Sequence, residues 1–295
     1  MKPWISATAI SKHWGLHGVR LGRILQRRWQ REVVEVDADE GRFVYKIAGS
    51  WKGRSAVAKD TAVLEMLAAR GYREAPRLIQ SGHGARFVQI GERFVYLLER
   101  IEGQVPAKSA AAYRALGRSA ARLHLLEGFP YRTDLSPGRA LREQRKIARA
   151  YPFRKDFIRV FEGLPDFSHL PQRVLHTDLA PANAIRTTAG RLVLIDWEDA
   201  GVGPAVLDLG GVLNELIDES CRYRGERVRA FFGAYAALRT ISTRERSRIV
   251  DAALFYALMY LRFGKDPHLR WRRVLWMLTH RQKLERLLDA ELRKP

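Results

Sequence analysis

The sequence of 295 residues predicts an α+β fold with two lobes, a small antiparallel-sheet lobe and a larger helical lobe. Short apolar stretches separated by turn residues dominate up to Gly103. Helical patterns dominate after Pro106, interrupted by strands only near residues 184–195. We therefore place the first lobe at residues 1–103 and the second at residues 104–295. At 46% hydrophobic residues, the chain can bury a substantial core.

The first lobe begins with strands and contains one clear helical segment. The turn Asp39-Glu40-Gly41 separates two strands, Gly71 is expected to end the helix, and Gly91-Glu92 is expected to form a hairpin turn. The predicted segments are strands 20–26, 32–37, 42–48, 86–90 and 94–98, and a helix over 58–70.

The second lobe is mainly helical and carries one predicted hairpin. Its strands, 184–186 and 191–195, are joined by Thr188-Ala189-Gly190, in which glycine supplies the turn. The predicted helices cover 108–126 and 138–150, and long helices fill 205–292.

Composition excludes several classes of protein. A single cysteine, Cys221, rules out an internal disulfide and a cysteine-based zinc site. No apolar run approaches the roughly 20 residues that span a bilayer, and the first ten residues lack the apolar core of a secretory signal. The expected location is cytoplasmic.

The formal net charge of +20 favours anionic partners such as nucleotides, acidic lipid or nucleic acid. Arginine-rich, solvated helix faces explain the same charge equally well. No zinc-finger spacing, aromatic RNA-binding signature or isolated basic tail indicates a dedicated nucleic-acid reader.

The chemistry is concentrated in His176-x-Asp178-x-x-x-x-Asn183, followed by Asp196 at the end of an apolar run. Phosphoryl transfer with Mg²⁺ needs one carboxylate beside the acceptor hydroxyl, and an amide and a second carboxylate for the metal. The predicted hairpin would bring Asn183, at its entrance, beside Asp196, at its exit. The stretch predicts a kinase-type active site.

Lys46 adds a second component, because it interrupts the apolar strand pattern of residues 43–47. Burial of an ammonium group is costly without an anionic partner. Glu65, on the following helix, and nucleotide phosphates are the candidate partners. A lysine that extends from a strand edge into solvent is the alternative.

These residues make the chain resemble the aminoglycoside phosphotransferase and choline kinase-like family, which has a protein kinase-like fold. The resemblance runs from about Leu21 to Leu261. It is most specific at residues 176–183, at Leu194-Ile-Asp-Trp-Glu198 and at Leu207-Asp-Leu-Gly210. The segment Tyr96–Gly103 is similar to the family's hinge strand, whose backbone holds the adenine ring.

The resemblance implies ATP and Mg²⁺ as cofactors. It implies Asp178 as the catalytic base and His176 as a brace of the catalytic loop. The remaining implied roles are the metal ligands Asn183 and Asp196, the phosphate clamp Lys46 with Glu65, and the adenine-binding hinge residues Glu99 and Ile101. Asp208 would support the active-site loops or, alternatively, cap a helix.

Three features depart from the family. Thr177 replaces the usual glycine, which is tolerable if the backbone there avoids positive φ. Residues 27–31, Arg-Arg-Trp-Gln-Arg, replace the glycine-rich loop, so their arginines either bind phosphates directly or are simply exposed, and the choice of ATP or GTP stays open. The third departure is the basic second lobe, which argues against polycationic acceptors. This lobe also contains an acidic cluster, which comprises Glu198, Asp199, Glu215, Asp218 and Glu219. The cluster could still form an acceptor pocket for a cation, or its members could pair with Arg222, Arg224 and Arg227.

The predicted function is an ATP- and Mg²⁺-dependent phosphotransferase that acts on a small-molecule hydroxyl. One alternative is a kinase of an anionic glycan or lipid headgroup, in peripheral contact with an acidic membrane. Another is a catalytically weak, kinase-like binding protein. The segments 138–170 and 211–235 carry no signature that identifies the acceptor.

Overall fold

The fold was analysed in a computed structural model that describes residues 2–133, 135–218, 220–263 and 266–292. The strands are β1 Arg20–Arg28, β2 Arg31–Ala38, β3 Gly41–Ile47, β4 Leu78–Ile79, β5 Val88–Ile90, β6 Arg93–Glu99, β7 Gly103–Gln104, β8 Gln172–Leu175, β9 Ala184–Thr187, β10 Leu192–Leu194 and β11 Gly201–Pro204. The α-helices are α1 Ala7–Trp14, α2 Arg54–Ala69, α3 Ala110–His124, α4 Pro137–Ile147, α5 Arg154–Glu162, α6 Val206–Leu216, α7 Gly225–Ala236, α8 Thr243–Arg246, α9 Ile249–Tyr260, α10 Pro267–Thr279 and α11 Arg281–Leu292.

The chain divides into two compact units. Unit 1 comprises Met1–Gln104 and Ile185–Glu198, and unit 2 comprises Val105–Ala184 and Asp199–Pro295. The predicted α+β class, with a sheet-rich first part and a helical second part, is confirmed. Within the described ranges, no helix is both long enough and apolar enough to cross a membrane.

Unit 1 is built on an antiparallel sheet with the order β1-β2-β3-β6-β4, in which β5 also pairs with β6. Alternation along β2 and β3 sends Val34, Val36 and Tyr45 into a core that α1 completes with Ile10 and Trp14. Lys46 points to the opposite face, beside Tyr96, its partner across the β3–β6 ladder. Tyr96 packs there against Val57 of α2.

Glu32 is a buried acid that fixes the β1–β2 edge of this sheet. One carboxylate oxygen accepts hydrogen bonds from the Tyr45 hydroxyl, at 2.6 Å, and from the Trp4 amide, at 2.8 Å. The other accepts from Arg27 Nε at 2.7 Å. Because buried charges need such partners, Glu32 and Arg27 form part of the scaffold.

The predicted hairpin in the second half of the sequence is confirmed. β9 and β10 pair, β7 adds to β9, and Gly190, at φ +79°, occupies the connecting turn. The Leu194 amide, at the end of β10, donates to the carbonyl of Glu74 at 2.8 Å. This bond ties the hairpin to the rest of unit 1.

Unit 2 is held together by two close helix pairs, α3 with α7 and α6 with α9. A Cβ atom on Gly117 of α3 would lie 2.3 Å from the carbonyl oxygen of Phe231 in α7. A Cβ on Gly210 of α6 would lie 2.5 Å from Ala252 in α9. Only glycine permits these backbone approaches.

The predicted long helices over 205–292 are instead a series of segments of 4 to 13 residues. Asp266 caps α10 and Pro267 occupies its first turn, where a proline favours a helix start over continuation of the preceding one. The helices α1 and α5 were not predicted from the sequence.

Candidate active site

Lys46 is the central cation of unit 1. Its Nζ lies 2.6 Å from Asp196 Oδ1 and 2.6 Å from Glu198 Oε1, and only 9% of its side chain is exposed. Burial lowers the pKa of Lys46, and the neighbouring Asp196 carboxylate partly offsets this effect. The expected buried lysine is therefore present, although its carboxylate partners come from the segment after β10.

The expected pair between Lys46 and Glu65 is not formed. Glu65 is 44% exposed, accepts a hydrogen bond from Gln80 Nε2 at 2.8 Å, and lies 3.8 Å from Arg86. The inward-facing acid of α2 is Asp60, which pairs with Lys52 at 2.5 Å. Position along the helix explains the difference, because Asp60 continues the buried stripe of Val57, Leu64 and Leu67, whereas Glu65 lies off it.

Glu198 is buried at the centre of a charge cluster in unit 1. Besides Lys46, it forms ion pairs with Arg31 and, at 3.4 Å, with Lys52. Lys52 Nζ also donates to the Glu198 carbonyl oxygen at 2.9 Å. The sequence suggested that Glu198 either lines an acidic acceptor pocket or pairs with Arg222, Arg224 and Arg227. Its contacts with Lys46, Arg31 and Lys52 match neither suggestion.

The segment that carries Asp196 is itself tightly fixed. Trp197 Nε1 donates to the Leu194 carbonyl at 2.8 Å, and the Trp197 ring packs edge-on against Tyr72. Asp196 takes the left-handed conformation, with φ +67°. Aspartate tolerates this conformation better than most residues.

The connection between β1 and β2 is a tight two-residue turn. Trp29 and Gln30 both have positive φ, +50° and +56°, as a type I′ hairpin turn requires, although glycine and asparagine are the usual residues there. Arg27 and Arg31 are engaged by the buried Glu32 and Glu198. These two arginines are therefore not simply exposed, and their binding to phosphates stays a prediction.

The hinge residues lie where β6 ends. The Glu99 amide donates to the Arg77 carbonyl at 2.9 Å, and the Glu99 side chain pairs with Arg77 at 3.0 Å. Ile101 follows, between β6 and β7.

In unit 2, Asp208 organises the loop after β8. Its Oδ2 accepts from the His176 amide at 2.9 Å, and its Oδ1 accepts from the Thr177 amide at 2.7 Å. The cap of α6 is Ala205, so the suggestion that Asp208 caps a helix is wrong. Asp208 supports the loop that carries Asp178.

A buried chain of hydrogen bonds continues behind Asp208. His124 Nε2 lies 3.1 Å from Asp208 Oδ2, and His124 Nδ1 lies 2.6 Å from the Tyr235 hydroxyl. Arg239 donates to that hydroxyl at 2.9 Å. If the Tyr235 hydroxyl donates to Nδ1, Nε2 carries the proton that His124 donates to Asp208.

Thr177 adopts φ +74°, so the condition for an unstrained threonine at this position is not met. This conformation costs a residue other than glycine roughly 1–2 kcal/mol. Two hydrogen bonds hold Thr177 in place: its amide donates to Asp208, and its carbonyl accepts from the Tyr256 hydroxyl at 2.9 Å.

Asp178 is exposed, and its two carboxylate oxygens have different partners. Oδ2 accepts from Asn183 Nδ2 at 2.6 Å, and Oδ1 accepts from the Tyr260 hydroxyl at 3.2 Å. The Asp178 amide lies 3.4 Å from His176 Nδ1, its acceptor. Asn183 also donates to the Asp178 carbonyl at 3.0 Å. The structure thus brings together three of the residues predicted from the motif.

Burial, and then the neighbouring Asp178 carboxylate, raises the pKa of Tyr260. Its hydroxyl therefore stays protonated and can donate throughout the ordinary pH range. Sequence reasoning missed Tyr260 and Tyr256. The available signal was their spacing of four residues, which places both on one face of α9.

A cavity of about 450 Å³ opens beside Asp178 within unit 2. Asp178, Tyr260 and Glu215 line it, together with Asn214, Arg270 and Arg273. Glu215 pairs with Lys108 at 2.7 Å, and Asp218 accepts from the amides of Ser220 and Arg222. Of the other two members of the predicted acidic cluster in unit 2, Asp199 does not line the cavity and Glu219 lies outside the described residues.

Residues 22–241 match the model of a family described as the phosphotransferase enzyme family. The chain belongs to this family. The predicted family and enzyme class are therefore confirmed, over about three quarters of the sequence. Comparison with curated proteins gave no match.

Solved structures give the same fold at low sequence identity. An aminoglycoside phosphotransferase from Alicyclobacillus acidocaldarius aligns with a TM-score of 0.67 at 19% identity, covering 98% of this chain and 96% of that one. A choline kinase from Streptococcus pneumoniae gives 0.63 at 15% identity, covering 92% and 96%. A microcompartment-associated aminopropanol kinase gives 0.62 at 16% identity, covering 96% and 97%. The predicted protein kinase-like fold is confirmed.

Proposed function

We propose that this phosphotransferase uses ATP and Mg²⁺ to phosphorylate a hydroxyl group of a small molecule. The observation that carries the proposal is the setting of Asp178 in unit 2. Its carboxylate is oriented by Asn183 and Tyr260 and lies in the wall of a cavity large enough for a metabolite. A carboxylate so placed can align an acceptor hydroxyl and take its proton.

In this proposal, unit 1 binds the nucleotide. The ammonium group of Lys46 would neutralise phosphate charge, and the backbone near Glu99 and Ile101 would hold the adenine ring. A buried lysine held between Asp196 and Glu198 is already oriented for this role. Glu65 has no part in the clamp, because it is paired elsewhere.

Asp196 and Asn183 have the donor chemistry that Mg²⁺ prefers. Asn183 directs its NH₂ group to Asp178, so its carbonyl oxygen is left as the metal-binding atom. Asp196 uses Oδ1 toward Lys46 and is one third exposed. Bound Mg²⁺ would neutralise phosphate charge during transfer.

Related structures support the nucleotide and metal assignments. An amicoumacin kinase of 12% identity and TM-score 0.67, aligned over 92% of this chain and 91% of that one, was solved with AMP-PNP and Ca²⁺. A spectinomycin phosphotransferase of 12% identity was solved with ADP and spectinomycin.

Asp178→Ala tests the proposal. Loss of a positioned base should lower turnover roughly 10²- to 10⁴-fold, measured as ADP release with an accepted substrate. The dissociation constant for ATP should stay within a few-fold, because Asp178 is assigned to the acceptor. The control is Asp156→Ala, which removes an exposed acid on α5 that pairs with Arg159. Near-normal turnover of Asp178→Ala would disprove the base assignment.

A further inference from the structure

Arg270 is a cation in the wall of the Asp178 cavity. Its Nη1 donates to the Tyr260 carbonyl at 2.7 Å, which uses one of the five guanidinium N–H groups. Over the described part of the chain, no carboxylate pairs with Arg270. The same Tyr260 holds Asp178 through its side chain, so the two charged groups are positioned by one residue.

The acids of this cavity, in contrast, are occupied by donors of the protein. Glu215 is paired with Lys108, and Asp218 accepts backbone amides. Asp178 accepts from Asn183 and Tyr260. Arg273 adds a second guanidinium to the wall and donates to the Ile217 carbonyl at 3.1 Å. By formal charge the wall balances, with the acids Asp178, Glu215 and Asp218 against the bases Lys108, Arg270 and Arg273. Among these bases, Arg270 pairs with no carboxylate of the described residues, so its guanidinium is open to an anionic ligand.

Asn214 provides an independent observation. It lines the same cavity and is 4% exposed, and its Oδ1 has no hydrogen-bond partner among the described residues. Buried polar atoms nearly always have a partner. A bound molecule that donates to the Asn214 amide would supply one.

We propose that the phosphate acceptor is a hydroxylated compound with an anionic group, a carboxylate or a phosphate ester, which Arg270 binds while Asn214 accepts a hydrogen bond from a donor group. This inference rests on the proposed function, because it assigns the substrate class of the same cavity. Arg270 can form paired, charge-assisted hydrogen bonds with either type of anion. A polycationic acceptor would place positive charge against Arg270.

The test uses probe pairs that differ in an anionic group: L-serine with ethanolamine, glucuronate with glucose, and glycerol 3-phosphate with glycerol. Turnover is measured as ADP release, and binding is measured separately as the thermal shift of the full chain. We expect the anionic member to bind more tightly in at least one pair. In that pair, Arg270→Gln should raise the KM of the anionic member about 10- to 100-fold and leave the KM of the neutral member within twofold.

Three further variants separate charge from structure. Arg270→Lys keeps the positive charge and should recover part of the lost affinity. Arg272→Gln, on the exposed side of the same helix α10, should change neither member of a pair. Asn214→Leu, which keeps the branched arrangement of side-chain heavy atoms and removes the polar ones, should weaken binding of acceptors that carry a donor group and leave nucleotide binding unchanged.

The outcomes distinguish this inference from the proposed function. A preference for the neutral or cationic members, or the absence of binding by every anionic member, overturns the inference even if phosphate is transferred. Arg270-dependent binding of anionic members without any ADP release supports an anion site at Arg270 and contradicts the assignment of these compounds as phosphate acceptors.

Discussion

Asp208→Asn should loosen the loop that carries Asp178. The aspartate accepts hydrogen bonds from the amides of His176 and Thr177, and His124 donates to it as well. An asparagine has only one oxygen to accept them. Its least costly orientation keeps that oxygen toward His176 and His124 and turns the NH₂ group toward the Thr177 amide.

The magnitude follows from these contacts. An unsatisfied buried amide costs roughly 1–3 kcal/mol, and the two remaining hydrogen bonds lose the strength that a charged acceptor gives them. We expect a total of about 3 kcal/mol, which corresponds to roughly a 100-fold increase in local opening.

Hydrogen exchange of a peptide spanning residues 172–183 measures this opening. The control is Asp156→Asn, an exposed acid on α5. Protection within about threefold of the parent protein would refute the assigned role of Asp208, because even one lost buried hydrogen bond should exceed that change.

A double-mutant cycle with Thr177→Gly tests whether Asp208 also holds the strained backbone at φ +74°. Glycine adopts this conformation without the penalty of roughly 1–2 kcal/mol. Asp208→Asn should therefore cost about 1 kcal/mol less in the Thr177→Gly background. Additive effects would show that strain at Thr177 is independent of Asp208.

Three other substitutions probe the remaining features. Gly117→Ala should destabilise unit 2 by about 1–3 kcal/mol, since its Cβ would lie 2.3 Å from the Phe231 carbonyl oxygen. The matched control is Gly138→Ala, because Gly138 has open space around it. Equal melting temperatures for the two variants would contradict the close approach at Gly117. Tyr260→Phe should lower kcat roughly 3- to 10-fold by removing a hydrogen bond to Asp178. The ratio of the parent kcat to the variant kcat should be the same at pH 7 and about pH 9.5, because the raised pKa of Tyr260 keeps its hydroxyl protonated. A ratio that falls with pH would mean that Tyr260 ionises. Asp196→Ala should weaken ATP binding in Mg²⁺ and leave binding in EDTA less affected. The control Asp37→Ala removes a partly exposed acid near the end of β2 that pairs with Arg42, and it should change neither. An unchanged Mg²⁺ dependence of Asp196→Ala would remove Asp196 from the metal site.

The strands and the β9–β10 hairpin could be predicted because their signals are local. Alternation within about seven residues and a glycine at the turn suffice to define them. The sequence contained the signal that Glu65 is not a partner of Lys46, because the buried stripe of α2 includes Asp60, three residues after Val57, and leaves Glu65 outside it. It contained no local signal for the true partners, Asp196 and Glu198, which lie about 150 residues further along the chain.

The acceptor cavity could not be predicted in the same way. Asn214, Tyr260 and Arg270 come from three separate helices, and they reach one cavity only through the packing of unit 2. No periodicity in the sequence reports such a nonlocal arrangement. Thr177 shows a related limit, because its left-handed backbone depends on partners 31 and 79 residues away.

The route of the chain between the two units constrains how the protein is made. Unit 1 takes its last strands from Ile185–Glu198, after the chain has already passed through 80 residues of unit 2, Val105–Ala184. During synthesis, the first 104 residues therefore leave the ribosome without the hairpin that Glu74 binds. At roughly 5–20 residues per second, they wait several seconds for it. Neither unit can be produced by cutting the gene once, and unit 1 cannot complete its fold until residue 198 emerges.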